Sequence, residues 1–195
     1  MGGLILAAGA ARRFGSPKQL ALLDGRPLLE HALSSMGGAR GIGPRAVVLG
    51  ARAQEILAGV DLQGAEPVIA GDWDEGQAAS LRAGIAALAG RVGAVVITLA
   101  DQPAISAAAI ERVIGARGPG HAAVRASYGG RPGHPVLLER SLFGGVARLR
   151  GDEGARGLLA AAAVEVVACD DVGSDADVDT VEQLRLSAGG SRRRS

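Results

Sequence analysis

The chain has 195 residues with a hydrophobic fraction of 48%, which is enough for one sizeable core and favours a single folded domain. A formal net charge of +1 and an aromatic fraction of 2% argue against a nucleic-acid-binding surface, which needs clustered basic side chains and stacking platforms. Cys169 is the only cysteine, which excludes an intramolecular disulfide and a cysteine-based metal site.

Apolar, β-branched runs alternate along the chain with Ala/Leu-rich segments of helical period. This alternation predicts a three-layer, Rossmann-like α/β fold, in which helices cover both faces of a doubly wound, mostly parallel sheet. The predicted strands are 3–8, 45–50, 66–70, 93–99, 121–126 and 164–168. The predicted helices are 27–36, 52–58, 77–89, 106–115, 139–148, 154–162 and 179–186.

Three features bear on the limits of the domain. Residues 127–150 lack a clear strand and helix rhythm, which predicts an insertion or lid on the sheet that shapes a second-substrate site. Residues 188–195 contain Arg192–Arg194 among small polar residues and are expected to form a disordered basic tail, leaving 1–187 as one domain. Neither a bilayer-length apolar run nor a signal-peptide pattern is evident, so we expect a cytoplasmic protein without a membrane partner.

The first loop has the composition of an anion-binding site. The apolar run 4–8 opens into the small residues that start at Gly9, and Arg13 and Lys18 follow. Small residues allow backbone N–H groups to approach phosphate oxygens closely, and the two cations supply charge. The spacing is that of neither a Walker A loop nor a dinucleotide fingerprint. The local alternatives are a triphosphate cradle and an ordinary strand-to-helix turn with a solvated basic face.

Carboxylates follow two of the predicted strands. Asp101 comes after strand 93–99, where a hard oxygen ligand suits Mg²⁺, although it also has the character of a helix cap near Ser106. Asp177 and Asp179 lie in an acidic loop before the last predicted helix. An extended segment would turn both to the same side, so either is a candidate second metal ligand, and the alternative is a solvated capping loop.

Two further segments contain candidate binding residues. Gly76 and Ser80 lie where a strand joins an Ala-rich helix. The small residues there would allow close approach of a nucleobase or ribose, and the alternative is an ordinary capped helix start. His134 has the character of a hydrogen-bonded structural residue or a substrate contact. Arg156 is a candidate anion ligand or the partner of a neighbouring carboxylate in a surface ion pair.

Six blocks of the sequence together resemble one known family. The string Leu6-Ala7-Ala8-Gly9-x-x-x-Arg13-x-Gly15-x-x-Lys18, continued by Leu20, Gly25 and Pro27-Leu28-Leu29, resembles the signature of the MobA-like nucleotidyltransferases. Its Ala-Ala-Gly form looks most like the molybdenum cofactor cytidylyltransferase (MocA-like) branch. The other blocks are Trp73-x-x-Gly76-x-x-x-Ser80-Leu81-x-x-Gly84, Asp101-Gln102-Pro103, Gly133-His134-Pro135, Gly151-Asp152-x-Gly154-Ala155-Arg156 and Asp177-Val178-Asp179-Thr180. Ala11 stands where the family usually has Ser, which removes a hydroxyl contact to phosphate and leaves the backbone cradle.

The resemblance implies the fold of the nucleotide-diphospho-sugar transferases and an Mg²⁺-dependent reaction. In that reaction the phosphate of a molybdopterin-type cofactor accepts CMP from CTP and pyrophosphate is released. It implies that Asp101 and Asp179 bind the metal with Asp177 as support, and that Arg13, Lys18 and Asp101 are the catalytic residues. The implied nucleotide-binding residues are Leu6, Ala7, Ala8, Gly9, Arg13, Lys18, Gly76, Ser80 and Asp101, and those for the acceptor are Gly133, His134, Pro135 and Arg156.

Other functions remain open at this stage. The enzymatic alternatives are transfer of GMP or another nucleotide and the use of a sugar phosphate as the acceptor. The nucleotide stays open because base choice rests on a few hydrogen bonds. A non-enzymatic alternative is a nucleotide-binding protein that delivers the cofactor without turnover. The expected partners are the nucleotide, the pterin acceptor and, transiently, a molybdoenzyme or its maturation factor, with the chain acting as a monomer or weak dimer.

Overall fold

The computed structural model describes residues 1–9, 15–178 and 183. The described chain forms nine strands, and in chain order they are β1 (Gly2–Leu6), β2 (Leu22–Leu23), β3 (Arg26–Pro27), β4 (Arg45–Leu49), β5 (Glu66–Ile69), β6 (Ala94–Leu99), β7 (Ala123–Tyr128), β8 (Arg131–Glu139) and β9 (Val164–Ala168). Seven of them make one sheet in the order β5-β4-β1-β6-β8-β7-β9, and β2 and β3 form a separate small hairpin. Of the seven, only β8 runs antiparallel to its neighbours.

The order of the strands reverses beside β1. The chain passes from β1 outward through β4 to β5, and then returns to place β6 on the other side of β1. Ligands of open α/β sheets bind at the carboxyl ends of the strands at such a point, because the connections on either side diverge and leave a crevice. The doubly wound, mostly parallel fold class is confirmed, and the crevice lies after Leu6 and Leu99.

Helices cover both faces of the sheet. They are α1 (Leu28–Gly38), α2 (Ala53–Gly59), α3 (Gln77–Ala89), α4 (Ala107–Gly115), α5 (Phe143–Val146) and α6 (Arg156–Ala160). Side chains alternate across β1, so Ile5 packs with α1, α2 and α4 on one face, while Leu4 packs with α3, α5 and α6 on the other. None of the helices in the described part of the chain has the length and apolarity needed to cross a bilayer.

The strand β8 was not predicted from the sequence, and it lies within 127–150, the segment interpreted as an insertion or lid. Gly129 and Gly130 both have positive φ, and this two-residue turn folds β8 back between β6 and β7 as a hairpin partner. Pro132 and Pro135 obscured the strand in the sequence, since proline removes a ladder donor. The structure accommodates them around a register irregularity between Arg125 and Ser127 on β7.

The predicted helices agree with the structure over the first four and less well after that. The predicted helix 139–148 is reduced to a 3₁₀ turn, Arg140–Leu142, and the four-residue α5. The predicted helix 154–162 is the five-residue α6. The predicted helix 179–186, apart from Gln183, and the predicted tail 188–195 lie outside the described residues.

Gly84 brings α3 close to the sheet. A Cβ at this position would lie 2.5 Å from Cδ1 of Leu4 and 2.8 Å from Cγ2 of Val48, both fully buried side chains. This residue belongs to the block that resembles the nucleotidyltransferase signature, and the structure gives it a packing role. The helix can therefore present its first turn to the crevice only because residue 84 has no side chain.

We expect Gly84→Ala to lower the free energy of unfolding by about 1–3 kcal/mol, because Leu4 and Val48 must shift within a packed core. Urea unfolding followed by circular dichroism measures the change. Gly90→Ala is the matched control, since its φ of −73° suits alanine and a Cβ there meets nothing within 4 Å. The control should be unchanged or more stable by up to about 1 kcal/mol. Equal stability of the two variants would contradict the packing role.

Candidate active site

An ion pair joins the two loops at the switch point. Lys18 Nζ donates to Asp101 Oδ2 at 2.9 Å, and the two side chains are 14% and 30% exposed. Asp101 is not a helix cap, because the cap of α4 is Ser106, whose hydroxyl accepts from the backbone N–H of Ala109 at 3.1 Å. The carboxylate of Asp101 is therefore paired with the ammonium group of Lys18 at the crevice, as expected for a site that binds charged groups.

Gln19 fixes the described start of the first loop. Its side-chain nitrogen donates to the carbonyl of Ala7 at 2.6 Å and to that of Gly9 at 3.2 Å. Gln19 is only 6% exposed, so this clamp is part of the core rather than a surface contact. The sequence contains a signal for it, a lone amide ahead of the apolar run 20–23, which we did not identify as functional. Arg13 lies outside the described residues, and Lys18 has a further interaction beside the one with Asp101.

The acidic segment before the C-terminal region docks onto the turn after β6. Gln102 donates from Nε2 to the carbonyl of Asp175 at 3.0 Å and to Oδ1 of Asp177 at 2.9 Å. The backbone N–H of Val178 donates to the carbonyl of Asp101 at 2.9 Å. Asp177 is thus held by Gln102 beside Asp101, while Asp179 lies outside the described residues. Gln102, within the quoted Asp-Gln-Pro block, was not predicted to have a role.

Gly76 serves first as a point of close approach. Its φ is +112°, and a Cβ there would lie 2.5 Å from Oδ1 of Asp152 and 2.6 Å from the carbonyl of Gly151. The blocks around residues 76 and 151 are therefore packed against each other. Ser80, the other predicted nucleotide contact here, is 6% exposed within α3.

A second close approach brings the loop after β4 against the first loop. A Cβ on Gly50 would lie 2.6 Å from Cγ of Trp73 and 2.8 Å from the carbonyl of Ala8. The predicted nucleotide-binding residues Ala7 and Ala8 are both buried, whereas Gly9 is exposed. Gly50 was not singled out in the sequence, since an isolated glycine after a strand looks like an ordinary turn residue.

A pocket of about 440 Å³ opens on the α3 side of the crevice. It lies between the start of α3, the ends of β1 and β6, the strands β7 and β8, and α6. Three predicted site residues line it, Leu6, His134 and Arg156, together with Arg125, which was not predicted. Arg125 is missed because it lies between Val124 and Ala126 in an apolar strand and belongs to no motif. The pocket has the size of a small-molecule site.

The polar groups of this pocket are unevenly charged. Burial, followed by the proximity of Arg125, lowers the pKa of His134 to about 4, against the opposing effect of Asp101, so His134 is neutral at pH 7. Burial and the neighbouring Arg156 also lower the pKa of Arg125. Among the residues that the structure describes, neither arginine side chain has a hydrogen bond or an ion pair, so the surface ion pair considered for Arg156 is not observed.

Gly133 and Pro135 hold His134 rather than line the pocket. Both are buried, and a Cβ on Gly133 would collide with the carboxylate of Asp175. The strand β8 is thereby packed against the segment that Gln102 binds. The predicted acceptor block 133–135 thus reaches the pocket through the side chain of His134.

The described residues at the switch point provide only part of the oxygen ligands that a divalent cation needs. No group of three or more His, Cys, Asp or Glu side chains suited to a metal occurs in the part of the chain that the structure describes. Asp101 supplies one partly exposed carboxylate. Mg²⁺ commonly takes one or two carboxylates and completes its coordination with water and substrate phosphates, so this donor set suits it.

Comparisons with known proteins identify relatives that are similar over nearly the whole chain. The chain is 36% identical to Nicotine blue oxidoreductase of Paenarthrobacter nicotinovorans, over 93% of each chain. The structure of the present chain superposes on that of Rv0371c from Mycobacterium tuberculosis H37Rv with a TM-score of 0.86 at 33% identity, covering 96% of each chain. A complex of Rv0371C with manganese matches with a TM-score of 0.80 at 30% identity, covering 96% of this chain and 97% of that chain.

The family assignment rests on the extent of the match. The MobA-like NTP transferase domain matches residues 3–170, which include both sides of the Lys18 and Asp101 ion pair and the whole of β8. The chain belongs to the MobA-like NTP transferase family and is a nucleotidyltransferase.

Proposed function

We propose that the protein transfers CMP from CTP to the phosphate of a molybdopterin-type cofactor and releases pyrophosphate. The observation that carries the proposal is the Lys18 and Asp101 pair at the switch point, with a pocket for a second substrate beside it. The Ala-Ala-Gly form of the first loop favours the cytidylyl branch. The acceptor phosphate is already an anion at neutral pH, so no general base is required.

The proposed steps follow from the charges present. An oxygen of the acceptor phosphate attacks the α-phosphorus of CTP in line, forming the new P–O bond, while the bond from the α-phosphorus to the bridging oxygen breaks. The electron pair leaves with pyrophosphate. Lys18 and Arg13 offset the charge that accumulates on the departing group, and the backbone of 6–9 positions the triphosphate. Nucleotidyl transfer depends mainly on such positioning and electrostatic stabilisation.

Asp101 and Asp179 are the proposed metal ligands. The manganese complex of Rv0371C supports a divalent cation in this fold, and we propose Mg²⁺ here. When bound, the cation would neutralise charge on the reacting phosphates and help to orient them. Lys18 already contacts Asp101, so the phosphates of the nucleotide and the carboxylate of Asp101 compete for the same ammonium group.

The proposed acceptor site is the pocket at His134 and Arg156, with Gly133 and Pro135 holding the strand. The proposed nucleotide site is the crevice formed by Ala7, Ala8, Gly9, Lys18 and Asp101, bounded by Gly76 and Ser80. Transfer of GMP and use of a sugar phosphate are the enzymatic alternatives. A delivery protein that binds nucleotide without turnover is the alternative outside catalysis.

A redox activity is the second candidate, and one observation favours it. The relative with 36% identity over 93% of each chain carries the name Nicotine blue oxidoreductase. In a protein of this fold, a nicotinamide dinucleotide would bind through its phosphates to the same crevice and donate hydride to an oxidised ring in the pocket. NADH and NADPH therefore belong among the ligands tested.

Calorimetric titration with CTP, GTP, ATP, UTP, NADH and NADPH, each with and without Mg²⁺, tests the proposal. We expect selective binding of CTP that Mg²⁺ strengthens, and release of pyrophosphate once a pterin phosphate is added. Lys18→Ala should weaken CTP binding by about tenfold, since a charge-assisted contact to phosphate is lost. Preference for GTP would move the assignment to the guanylyl reaction, and preference for NADH or NADPH without pyrophosphate release would favour redox chemistry.

Asp101→Asn should lower the rate of pyrophosphate release on the order of 100-fold, the scale of losing one electrostatic contact in a transition state. The fold should be retained, because a partly exposed ion pair contributes only about 1 kcal/mol or less. Metal-free CTP binding should persist, since Lys18 is then released to the phosphates. Asp61→Asn is the control, because its Oδ1 accepts from the backbone of Gln63 away from the site and asparagine preserves that bond. Turnover of Asp101→Asn equal to that of Asp61→Asn would sink the assigned role.

Gln102→Met tests whether the docked acidic segment supports the metal. Methionine fills a similar volume and removes the bonds to Asp175 and Asp177. The apparent Mg²⁺ affinity should fall about tenfold, as is usual when a group that orients a ligand is lost, and added Mg²⁺ should restore the rate. Gln54→Met, on the exposed face of α2, is the control. A rate loss that excess Mg²⁺ does not relieve would contradict this positioning role.

A further inference from the structure

We propose that Arg125 and Arg156 together bind the phosphate of the second substrate, so that the pocket selects a phosphomonoester dianion attached to a flat, largely apolar ring system. This inference rests on the proposed function, because it specifies what the acceptor must carry. It adds Arg125, which belongs to none of the motif blocks, as a specificity-determining residue.

The position of Arg125 fixes its role in the pocket. It lies on β7 directly across from Val136 of β8, two residues after His134, and all three line the cavity. Its side chain is partly buried, and its Nε is buried without a partner in the described structure. Burying the Nε–H of a guanidinium group without a carboxylate or carbonyl acceptor is costly to the free protein. An anion entering the pocket would supply the missing acceptor.

Arg156 approaches the same space from α6. It is exposed, lines the pocket and is close enough to Arg125 to act on its charge. Two like charges held together without an intervening carboxylate favour a dianion over a monoanion. Asp152, the acidic residue of the lining, has its Oδ1 against Gly76 at the nucleotide end. His134 is neutral at pH 7 and so leaves the two arginines as the dominant charges.

The remaining walls specify the rest of the ligand. Side chains of Leu6, Leu81, Ile97, Val136 and Leu159 form apolar surfaces around the cavity. The cavity of about 440 Å³ is large enough for a fused ring system, and hydrophobic walls with a few polar groups are typical of small-molecule sites. The two arginines share the cavity with Leu6, the last residue of β1, at whose end the crevice lies.

Calorimetry with 1-naphthyl phosphate, 1-naphthyl sulfate and 1-naphthol at pH 7.5 tests the inference on the intact protein. We expect 1-naphthyl phosphate to bind at least tenfold more tightly than the sulfate or the naphthol. Arg125→Gln should reduce phosphate binding at least tenfold, and Arg125→Lys should restore part of it. Arg156→Gln should also weaken binding, and because Arg156 is exposed this variant keeps the test decisive if Arg125→Gln fails to fold.

Arg148→Gln is the matched control, since Arg148 is exposed, lies just after α5 and does not line the pocket. Equal binding of 1-naphthyl phosphate to the wild type and to both Arg125→Gln and Arg156→Gln would overturn the inference. CTP binding measured on the same samples separates the two proposals. Arginine-dependent binding of the aryl phosphate without CTP binding would retain the anion pocket and reject CMP transfer. In an acceptor assay, Arg125→Gln should raise the KM for the acceptor and leave that for CTP unchanged.

Discussion

The candidate active site depends on the contacts that the turn after β6 makes with two distant segments of the chain. Its carboxylate at Asp101 pairs with Lys18, 83 residues away in the chain, and its amide at Gln102 holds the segment at 175–177, more than 70 residues away in the other direction. Both partners come from segments without a long helix or strand of their own. The ion pair and the amide hydrogen bonds therefore bring together groups that local propensity could not align, and the backbone hydrogen bond from Val178 to the carbonyl of Asp101 adds to this docking.

The antiparallel strand β8 imposes the second constraint. The chain leaves β6 through α4, which packs on the face of the sheet opposite the pocket, and the Gly129-Gly130 hairpin then inserts β8 directly beside β6. Arg125 and His134 then face one cavity from adjacent strands, and α6 can close that cavity with Arg156. The proposed acceptor site is therefore a product of sheet topology, because no sequence motif marks Arg125 on β7.

Glycines of the motif blocks divide into two physical groups. Gly76 and Gly84 have close neighbours where a Cβ would stand, so they allow one segment to approach another. Gly9, at the end of the described start of the first loop, has no atom of the described residues within 4 Å of its Cβ position, so its lack of a side chain is not needed for packing against them. A motif glycine can thus mark packing that supports a site as well as contact with the ligand itself, and the distinction requires coordinates.

The sequence by itself determined the α/β class and the strands β1 and β6, after which the crevice lies. It also identified the small residues and Lys18 as candidate phosphate-binding groups and Asp101 as a candidate metal ligand. These follow from periodicity, from residue chemistry and from the motif blocks, which are properties of short stretches. The tertiary structure decided the position of β8, the clamps made by Gln19 and Gln102, and the charge of the pocket at Arg125. Those features depend on contacts between residues that are distant in the chain, and a proline-containing strand or a single buried amide has no periodic signal that would reveal its partner.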